Sequence, residues 1–337
     1  MLIGKLERMI ARLAWSTGLT SLVIAWNRSR GKTPILMYHS VRPRPVDWKT
    51  APMVWQTGMA VSPETFEGQI AEFTKRYRCV SVREYIDALS KGSAKGLLAI
   101  TFDDGYIDNL ETAAPILRRY GANATFFLIG CHLEGERPAP VALYNMAHDE
   151  SSMGRGGSPK VAFSRKALVL AGEEALGLSS AAYGFEMLDW RPHYISPEEA
   201  VGLDAAGFEI GAHGYYHLIA SALDVERFKS DLLRSKKSVD KLIRGLKPGF
   251  AFPYGTPPVI TGEKTRAVRE CGFSYAVTSI EGLNGADADR FALRRISADE
   301  VPLYVTMFRL TGLRAGSKRF FQRLKWKYEK PGALHAG

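Results

Sequence analysis

Cysteine is scarce in this chain of 337 residues. The three cysteines, Cys79, Cys131 and Cys271, lie far apart, and no CxxC pair is present. This spacing argues against a disulfide framework and against a cysteine-based zinc site. It favours a reducing compartment, where free thiols persist.

A long apolar segment is also missing from the N-terminal region. The uncharged stretch Leu13–Trp26 has 14 residues, which is too short to cross a bilayer, and no A-x-A-like cleavage site follows it. We therefore predict an uncleaved interfacial helix, with a secretory signal as the alternative. Upstream, apolar residues recur at helical spacing opposite three basic residues; the apolar positions are Leu2, Leu6, Met9, Ile10 and Leu13, and the basic ones Lys5, Arg8 and Arg12.

Acidic residues are few at the two ends of the chain. The net charge is +10, but residues 1–32 carry six basic residues against one acidic residue, and residues 309–337 carry eight against one. No nucleic-acid-binding motif accompanies these ends, so no nucleic acid partner is expected. Aromatic residues interleave with the C-terminal basic residues, which is typical of a peripheral segment on an anionic membrane; a solvated basic tail is the alternative. The predicted location is the cytoplasm, peripheral at the inner membrane surface, with secretion as the alternative.

Most of the chain is typical of a globular α/β protein, with 46% hydrophobic and 24% charged residues. Buried strands alternate with amphipathic helices up to about residue 130 and again after residue 195, which predicts parallel βα units. Two of these helices are predicted to begin after Ser62 and Ser196, where a serine cap is followed by proline. We predict one domain over 33–308, flanked by a basic amphipathic segment (1–32) and a basic tail (309–337).

Two stretches interrupt the alternation. Residues 42–60 contain three prolines and are predicted to be a loop. Residues 131–193 are interpreted as an insertion after the third core strand, with helical patches at 141–147 and 164–176. An insertion on the loop side of the fold often shapes a substrate cleft, although a passive decoration is equally open.

The strand Leu97–Phe102 ends in two adjacent carboxylates, Asp103 and Asp104, followed by Gly105. Adjacent strand residues point to opposite sides, so the two aspartates share a site only where the strand bends, and glycine permits that bend. Two neighbouring carboxylates raise each other's pKa unless a metal or a division of roles separates them. The alternative is an ordinary Asp-Gly turn.

Two histidines follow a later predicted strand, Phe208–Ala212. His213 and His217 are four residues apart, but Gly211 and Gly214 disfavour a regular helix there. Two imidazoles and a carboxylate leave open positions on a divalent ion, which is typical of a catalytic metal site. Together with the aspartate pair they predict a His-His-Asp triad.

Three motifs in order carry a family resemblance: 101–106 (TFDDGY), 211–217 (GAHGYYH) and 252–255 (FPYG). This combination resembles the polysaccharide deacetylases of the NodB-homology type, carbohydrate esterase family 4. The segments 35–41 and 62–66 look like the branch that contains the exopolysaccharide (poly-N-acetylglucosamine) deacetylases. The resemblance covers about 33–130 and 195–298, and it implies a distorted (β/α) barrel of the NodB-homology type with fewer than eight strands.

The resemblance also implies roles for particular residues. Asp103 matches the general base of the family, and Asp104, His213 and His217 match its metal ligands. Tyr254 lies where the family has its oxyanion-binding backbone N–H, with Phe252 and Pro253 beside it in the substrate groove. Zn²⁺ is the ion expected for two imidazoles and a carboxylate, although other first-row ions fit.

Two positions depart from the family pattern. The base-orienting arginine is replaced by Ala251, and the late catalytic histidine by Ile296, which cannot donate a proton. In the branch with the early Tyr-His motif the acid comes from that histidine, so His39 is the predicted proton donor. As a further hypothesis, Arg295 supplies the missing positive charge beside Asp103.

The predicted function is metal-dependent removal of N-acetyl groups from an amino-sugar polysaccharide or lipid-linked glycan, with release of acetate. Two alternatives remain open at this stage. One is hydrolysis of a non-sugar amide by the same site; the other is a catalytically silent glycan-binding protein, motivated by the two departures.

Overall fold

A computed structural model of the chain describes residues 2–47, 51–152, 174, 189–243, 245–257 and 259–314. The strands within these ranges are β1 (Ile35–Tyr38), β2 (Ser40–Val41), β3 (Ala60–Val61), β4 (Arg78–Val80), β5 (Leu97–Phe102), β6 (Thr125–Leu128), β7 (Glu209–Ala212), β8 (Phe250–Ala251), β9 (Ala276–Glu281) and β10 (Leu293–Ser297). The α-helices are α1 (Leu2–Ser16), α2 (Leu19–Ser29), α3 (Met53–Gln56), α4 (Pro63–Thr74), α5 (Val82–Ser90), α6 (Ala114–Arg119), α7 (Gly130–Leu133), α8 (Pro140–Ser152), α9 (Pro197–Ala205), α10 (Val225–Asp240), α11 (Gly262–Glu270) and α12 (Leu303–Arg309). A π-helical turn (Asn109–Ala113) precedes α6, and 3₁₀ turns cover Arg191–His193 and Ala220–Ala222.

Seven parallel strands close into a barrel. The order is β1-β10-β9-β8-β7-β6-β5, and β5 pairs again with β1 to complete the ring. The short β4 pairs only with the beginning of β5, while β2 and β3 form a separate two-stranded sheet. This architecture confirms the predicted distorted (β/α) barrel with fewer than eight strands in its ring.

Alternation along each strand separates two apolar layers. A smaller cluster combines residues from one face of the ring strands with residues of α5 such as Tyr85, and its strand members include Ile35, Leu97, Ala99, Phe127, Ala251, Val277 and Leu293. The neighbouring residues on the same strands face the helices in the main core cluster, where Tyr38, Phe102 and Phe126 stack in succession. Ile296 lies in this outer cluster, on the side away from the barrel interior.

Helix starts follow local sequence signals. The Ser62 hydroxyl accepts a hydrogen bond from the backbone N–H of Thr65 at the start of α4. Ser196 and Glu199 form a reciprocal capping box at the start of α9. These two starts confirm the predictions from the sequence.

The predicted 42–60 loop is wrong in part. It contains the helical turn α3 and the strand β3, because Val54 and Trp55 are buried in an apolar cluster and β3 pairs with β2. Of the two helical patches predicted in the insertion, 141–147 is confirmed by α8, and 164–176 lies outside the described residues except for position 174.

The N-terminal helices pack onto the barrel rather than extending away from it. No single described helix is long and apolar enough to cross a membrane, but the pair Lys5–Ser16 and Leu19–Ser29, bent by 83°, meets the criteria of length and composition together. At the other end Arg309 is buried in α12 and pairs with Asp299, so the packed body continues past residue 308. Residues 315–337, which hold most of the predicted basic tail, lie outside the described part of the chain.

Candidate active site

The predicted site residues meet at the carboxyl ends of the barrel strands. Asp103 and Asp104 follow β5, His213 and His217 follow β7, and His39 follows β1. Parallel strands in a closed barrel place all their carboxyl ends on one face, where the loops are free to carry side chains for chemistry. Residues far apart in the sequence thereby line one cavity of about 140 Å³.

Asp104, His213 and His217 form a compact group of three ligand atoms. The Nε2 atoms of His213 and His217 lie 3.4 Å and 3.2 Å from Asp104 Oδ1. One ligand atom from each of the three residues lies within 4.8 Å of the others, an arrangement that could hold a metal ion.

Backbone strain is concentrated at this group. Among the described residues, the non-glycine residues with positive φ are Asp104 (74°), His217 (57°) and Tyr254 (54°). Such conformations are costly for residues with a side chain, and they persist where the surrounding structure imposes them. Gly105 follows with φ 68°, and an added Cβ would lie 2.8 Å from Leu128 Cδ2, so the bend after Asp104 requires glycine.

The donor set fits a divalent cation. His213 Nδ1 is 2.9 Å from the backbone oxygen of Ala251, a partner that fixes the ring and leaves Nε2 for a ligand. The two imidazoles and the carboxylate are almost fully buried, and this N,N,O chemistry suits zinc and other first-row ions. Ala251 replaces an arginine of the family pattern, yet its backbone oxygen takes part in the site.

Asp103 does not belong to the ligand group but pairs with Arg295. Arg295 Nη1 and Nη2 donate to Asp103 Oδ1 and Oδ2, each at 2.7 Å. Arg295 also donates through Nε to the backbone oxygen of Thr278 and through Nη1 to Thr101 Oγ1. Its side chain is fully buried, and the bonds to Thr278 and Thr101 fix the guanidinium that holds this carboxylate.

Charge controls the ionisation of both aspartates. Burial by itself raises the pKa of the Asp103 carboxyl, but Arg295 and His213 outweigh burial and lower this pKa below its ordinary value. Burial also opposes ionisation of Asp104, and hydrogen bonds with His213 and His217 hold its pKa well below the ordinary range. Both carboxylates are therefore ionised at neutral pH.

His39 is adjacent to Asp103 because β1 and β5 are neighbours. Tyr38 lies opposite Phe102 in the parallel register, and the backbone N–H of Asp103 donates to the oxygen of Tyr38 at 3.0 Å. The next residue on each strand, His39 and Asp103, lines the cavity. Asn109 Nδ2 donates to the His39 backbone oxygen at 2.7 Å and holds this loop in place.

The motif at 252–255 contributes unequally to the site. Tyr254 and Phe252 line the cavity, and Pro253 is not among its lining residues. The Phe252 ring is fully buried and packs on Phe228 and Phe250, so it supports the loop from the core side. The Tyr254 ring lies edge-on to His217, with centroids 4.9 Å apart.

The insertion forms part of the cavity wall, so the structure favours the first of the two alternatives that the sequence left open. Helix α8 contributes Val141, Ala142 and Asn145 to the lining of the cavity, and Tyr194, directly after the insertion, also lines it. Asn145 is 6% exposed, and its Oδ1 has no hydrogen-bond partner among the described residues. A buried unpaired amide oxygen at a cavity is a signal that only coordinates reveal, because nothing in the local sequence distinguishes this asparagine.

Similarity to known proteins agrees with this geometry. YxkH of Bacillus subtilis strain 168, described as a polysaccharide deacetylase, is 23% identical over 277 residues, which cover 81% of this chain and 74% of that protein. The structure of Streptococcus pyogenes deacetylase PplD with acetate superposes with a TM-score of 0.58 at 20% identity, covering 83% of this chain and 98% of that one. IcaB from Ammonifex degensii gives 0.54 at 20% identity, with 84% and 97% covered.

The family assignment depends on a match of the sequence itself. Residues 90–276 match the family model described as polysaccharide deacetylase, and this stretch holds both aspartates, both histidines and Tyr254. The match extends over more than half of the chain, and the barrel seen here is shared with the solved deacetylases. The chain belongs to the polysaccharide deacetylase family.

Proposed function

We propose that this protein removes N-acetyl groups from an amino-sugar glycan, either a polysaccharide or a lipid-linked precursor, and releases acetate. The observation that carries the proposal is the separation of two adjacent carboxylates into two environments. Asp104 lies 3.2–3.4 Å from two imidazoles, while Asp103 is held by a buried guanidinium at the same cavity. Two neighbouring carboxylates with different partners are typical of sites in which one carboxylate is a metal ligand and the other an acid–base group.

The metal is proposed to be held by Asp104, His213 and His217, with Zn²⁺ as the expected ion. A bound divalent ion supplies Lewis-acid polarisation of the acetamide carbonyl and a lowered pKa for the attacking water. The buried position of the three ligands keeps bulk water from competing for the ligand atoms. The backbone oxygen of Ala251 holds His213 in the tautomer whose Nε2 is a ligand.

Asp103 is the proposed general base. Its lowered pKa keeps it ionised and able to accept a proton from water at neutral pH. Arg295 orients the carboxylate through two parallel hydrogen bonds, a function that the family pattern gives to an arginine at the position of Ala251. Arg295 reaches the same carboxylate from another strand, so the departure at 251 does not remove the positive charge.

His39 is the proposed proton donor to the departing amine. Support comes from its place beside Asp103 at the cavity wall and from the hydrogen bond of Asn109 to its backbone. The backbone N–H of Tyr254 is proposed to donate to the oxyanion that forms on the substrate. Asn145 is proposed to bind a polar group of the sugar, because its buried Oδ1 has no other partner among the described residues.

A cytoplasmic location, peripheral at the inner membrane surface, completes the proposal. The basic residues of 1–32 favour contact with an anionic membrane.

Acetate release tests the function directly. The purified protein is incubated with N-acetylglucosamine oligomers and with simple N-acyl amides, with and without chelator, and acetate is measured. We expect chelator-sensitive release from the oligomers and loss of most turnover in Asp103→Asn with metal content retained. Metal binding without acetate release from any substrate would favour the silent glycan-binding alternative; release from the simple amides alone would favour the non-sugar amidase.

A further inference from the structure

Helix α1 is attached to the barrel by its small residues. Ala11 and Ala14 are 0% and 5% exposed and pack with Val305 and Phe308 of α12. On the same side Glu7 pairs with Arg309 and Arg314, each at 3.1 Å. The helix is therefore fixed on the body in a defined orientation.

That orientation directs the large apolar side chains outward. Four large apolar side chains of α1 and three of α2 are 44–68% exposed, and we call this set the apolar face: Leu6, Met9, Ile10, Leu13, Leu19, Leu22 and Trp26. A helix on a globular protein normally buries its apolar stripe, whereas α1 buries alanines and exposes leucine, methionine and isoleucine. A concentrated exposed apolar patch of this kind marks a surface that docks on something else.

Charge around the apolar face indicates the occupant. Lys5, Arg8 and Arg12 are exposed on the flank of α1, and Arg30 and Lys32 are exposed just after α2. The one acidic residue in 1–32, Glu7, is already neutralised by two arginines. A second copy of this chain docked face to face would bring these basic groups together, whereas an anionic lipid surface complements them.

The apolar face is also connected to the active site. A cavity of about 1130 Å³ shares His39 and Met59 with the active-site cavity of about 140 Å³ and extends to Arg8. Arg8 then borders a smaller cavity together with Met9, Arg12 and Leu13. Neighbouring cavities with shared lining residues thus lie between the catalytic face of the barrel and the flank of α1.

We propose that the apolar face and its basic flank bind an anionic lipid bilayer, and that the enzyme acts on a glycan attached to that membrane. The second part rests on the proposed deacetylase function. The helices lie in the interface rather than span it, because α1 is about 22 Å long, which is less than the hydrocarbon thickness, and the bend of 83° keeps α1 and α2 from forming one straight span. The cavity of about 1130 Å³ receives the glycan as it leaves the membrane surface, and the active-site cavity receives its N-acetyl group.

Vesicle binding tests the first part with the full chain. The variant Leu6→Ser/Ile10→Ser/Leu22→Ser changes the apolar face without touching either cavity, and Val201→Ser/Leu233→Ser/Leu246→Ser changes equally exposed apolar residues elsewhere. Co-sedimentation is measured with phosphatidylcholine vesicles and with phosphatidylcholine–phosphatidylglycerol vesicles. We expect the wild type and the control to bind the anionic vesicles, and the apolar-face variant to lose affinity by about tenfold or more.

Three results would contradict membrane binding by the apolar face. Equal binding to neutral vesicles would remove the role of charge, and equal loss in the control variant would remove the role of this particular face. The third result is a lower molecular mass of the apolar-face variant than of the wild type by light scattering, with vesicle binding unchanged. It would show that the apolar face binds a second copy of this chain.

Activity separates this inference from the proposed function. Acetate release is compared for an N-acetylglucosamine oligomer in solution and for the same oligomer coupled to a phospholipid in anionic vesicles. We expect the apolar-face variant to retain the rate on the free oligomer and to lose about tenfold on the coupled one. Equal rates of wild type and variant on the coupled oligomer would overturn the membrane-attached substrate. If the wild type binds the vesicles but releases acetate from neither oligomer, the deacetylase function is wrong and membrane binding by the apolar face is still supported.

Discussion

Arg295 donates two parallel hydrogen bonds of 2.7 Å to the two oxygens of Asp103, and neither side chain is significantly exposed. The pair joins β10 to the end of β5 across the barrel interior. A buried bidentate pair keeps the carboxylate ionised and fixes its direction, which are the two requirements of a general base beside a metal site.

Removing the guanidinium alone leaves a buried, unpaired carboxylate. We expect Arg295→Met to lower the free energy of unfolding by about 3 kcal/mol and to abolish most activity. Urea unfolding monitored by circular dichroism and acetate release measure the two effects. The double variant Arg295→Met/Asp103→Leu has no buried charge at these two positions and should regain most of the stability without regaining activity. If the double variant is as unstable as the single one, the cost comes from lost packing and not from the unpaired charge.

Metal content distinguishes ligands from the proposed acid. His213→Ala should lose stoichiometric metal, because it removes one of three ligand atoms, and elemental analysis of the dialysed protein measures this. His39→Ala should keep its metal and lose roughly 10²-fold in kcat, the usual contribution of one general acid. The exposed His193→Ala is the matched control and should change neither quantity. Metal loss in His39→Ala would show that His39 is a metal ligand and not the proton donor.

Asn145 predicts an effect on substrate binding without an effect on stability. Its Oδ1 has no partner among the described residues, so Asn145→Ala breaks no internal hydrogen bond at that atom and should leave the unfolding midpoint nearly unchanged. One lost hydrogen bond to the sugar should lower kcat/KM by about fivefold to tenfold, mainly through KM. Asn123→Ala is the contrast, since Asn123 bonds the backbone at Gly207 and Ala124 and should lower stability without altering KM. The opposite pattern would make Asn145 a structural residue.

His132 predicts a pH dependence of stability. Burial lowers its pKa from 6.5 to about 3, and its Nε2 accepts a hydrogen bond from the backbone N–H of Ala139. The unfolded chain therefore binds one more proton between about pH 3 and pH 6.5, so stability is full above this window and falls as pH decreases through it. We expect a contribution of up to about 3 kcal/mol between pH 7 and pH 4.

The variant His132→Phe isolates this contribution. The difference in unfolding free energy between wild type and variant should change with pH over that window, whereas the difference between wild type and the exposed His193→Ala should stay flat. A constant difference between wild type and His132→Phe would show that His132 does not titrate differently in the folded state.

Local signals in the sequence were sufficient for much of the fold. Serine caps predicted the starts of α4 and α9, and apolar runs ending in Asp-Asp-Gly and Ala-His-Gly predicted where β5 and β7 end. The short helix α3 was missed, because its four residues depend on burial of Val54 and Trp55 against the insertion and not on helical periodicity. The helix α12 was missed as well, and its arginine was assigned to the tail.

The sequence by itself determined which side chains carry chemistry, because residue type, order and spacing of the three motifs are local properties. Only the tertiary structure decided which of them meet. Closure of the ring through β1 and β5 places His39 beside Asp103, and pairing of β10 with β1 brings Arg295 to the same carboxylate. The same holds for α1, whose amphipathic pattern predicted a helix but not that alanines would face the barrel while leucines face outward. Pairing partners and buried faces depend on the free energy of the whole packed chain, which no single segment contains.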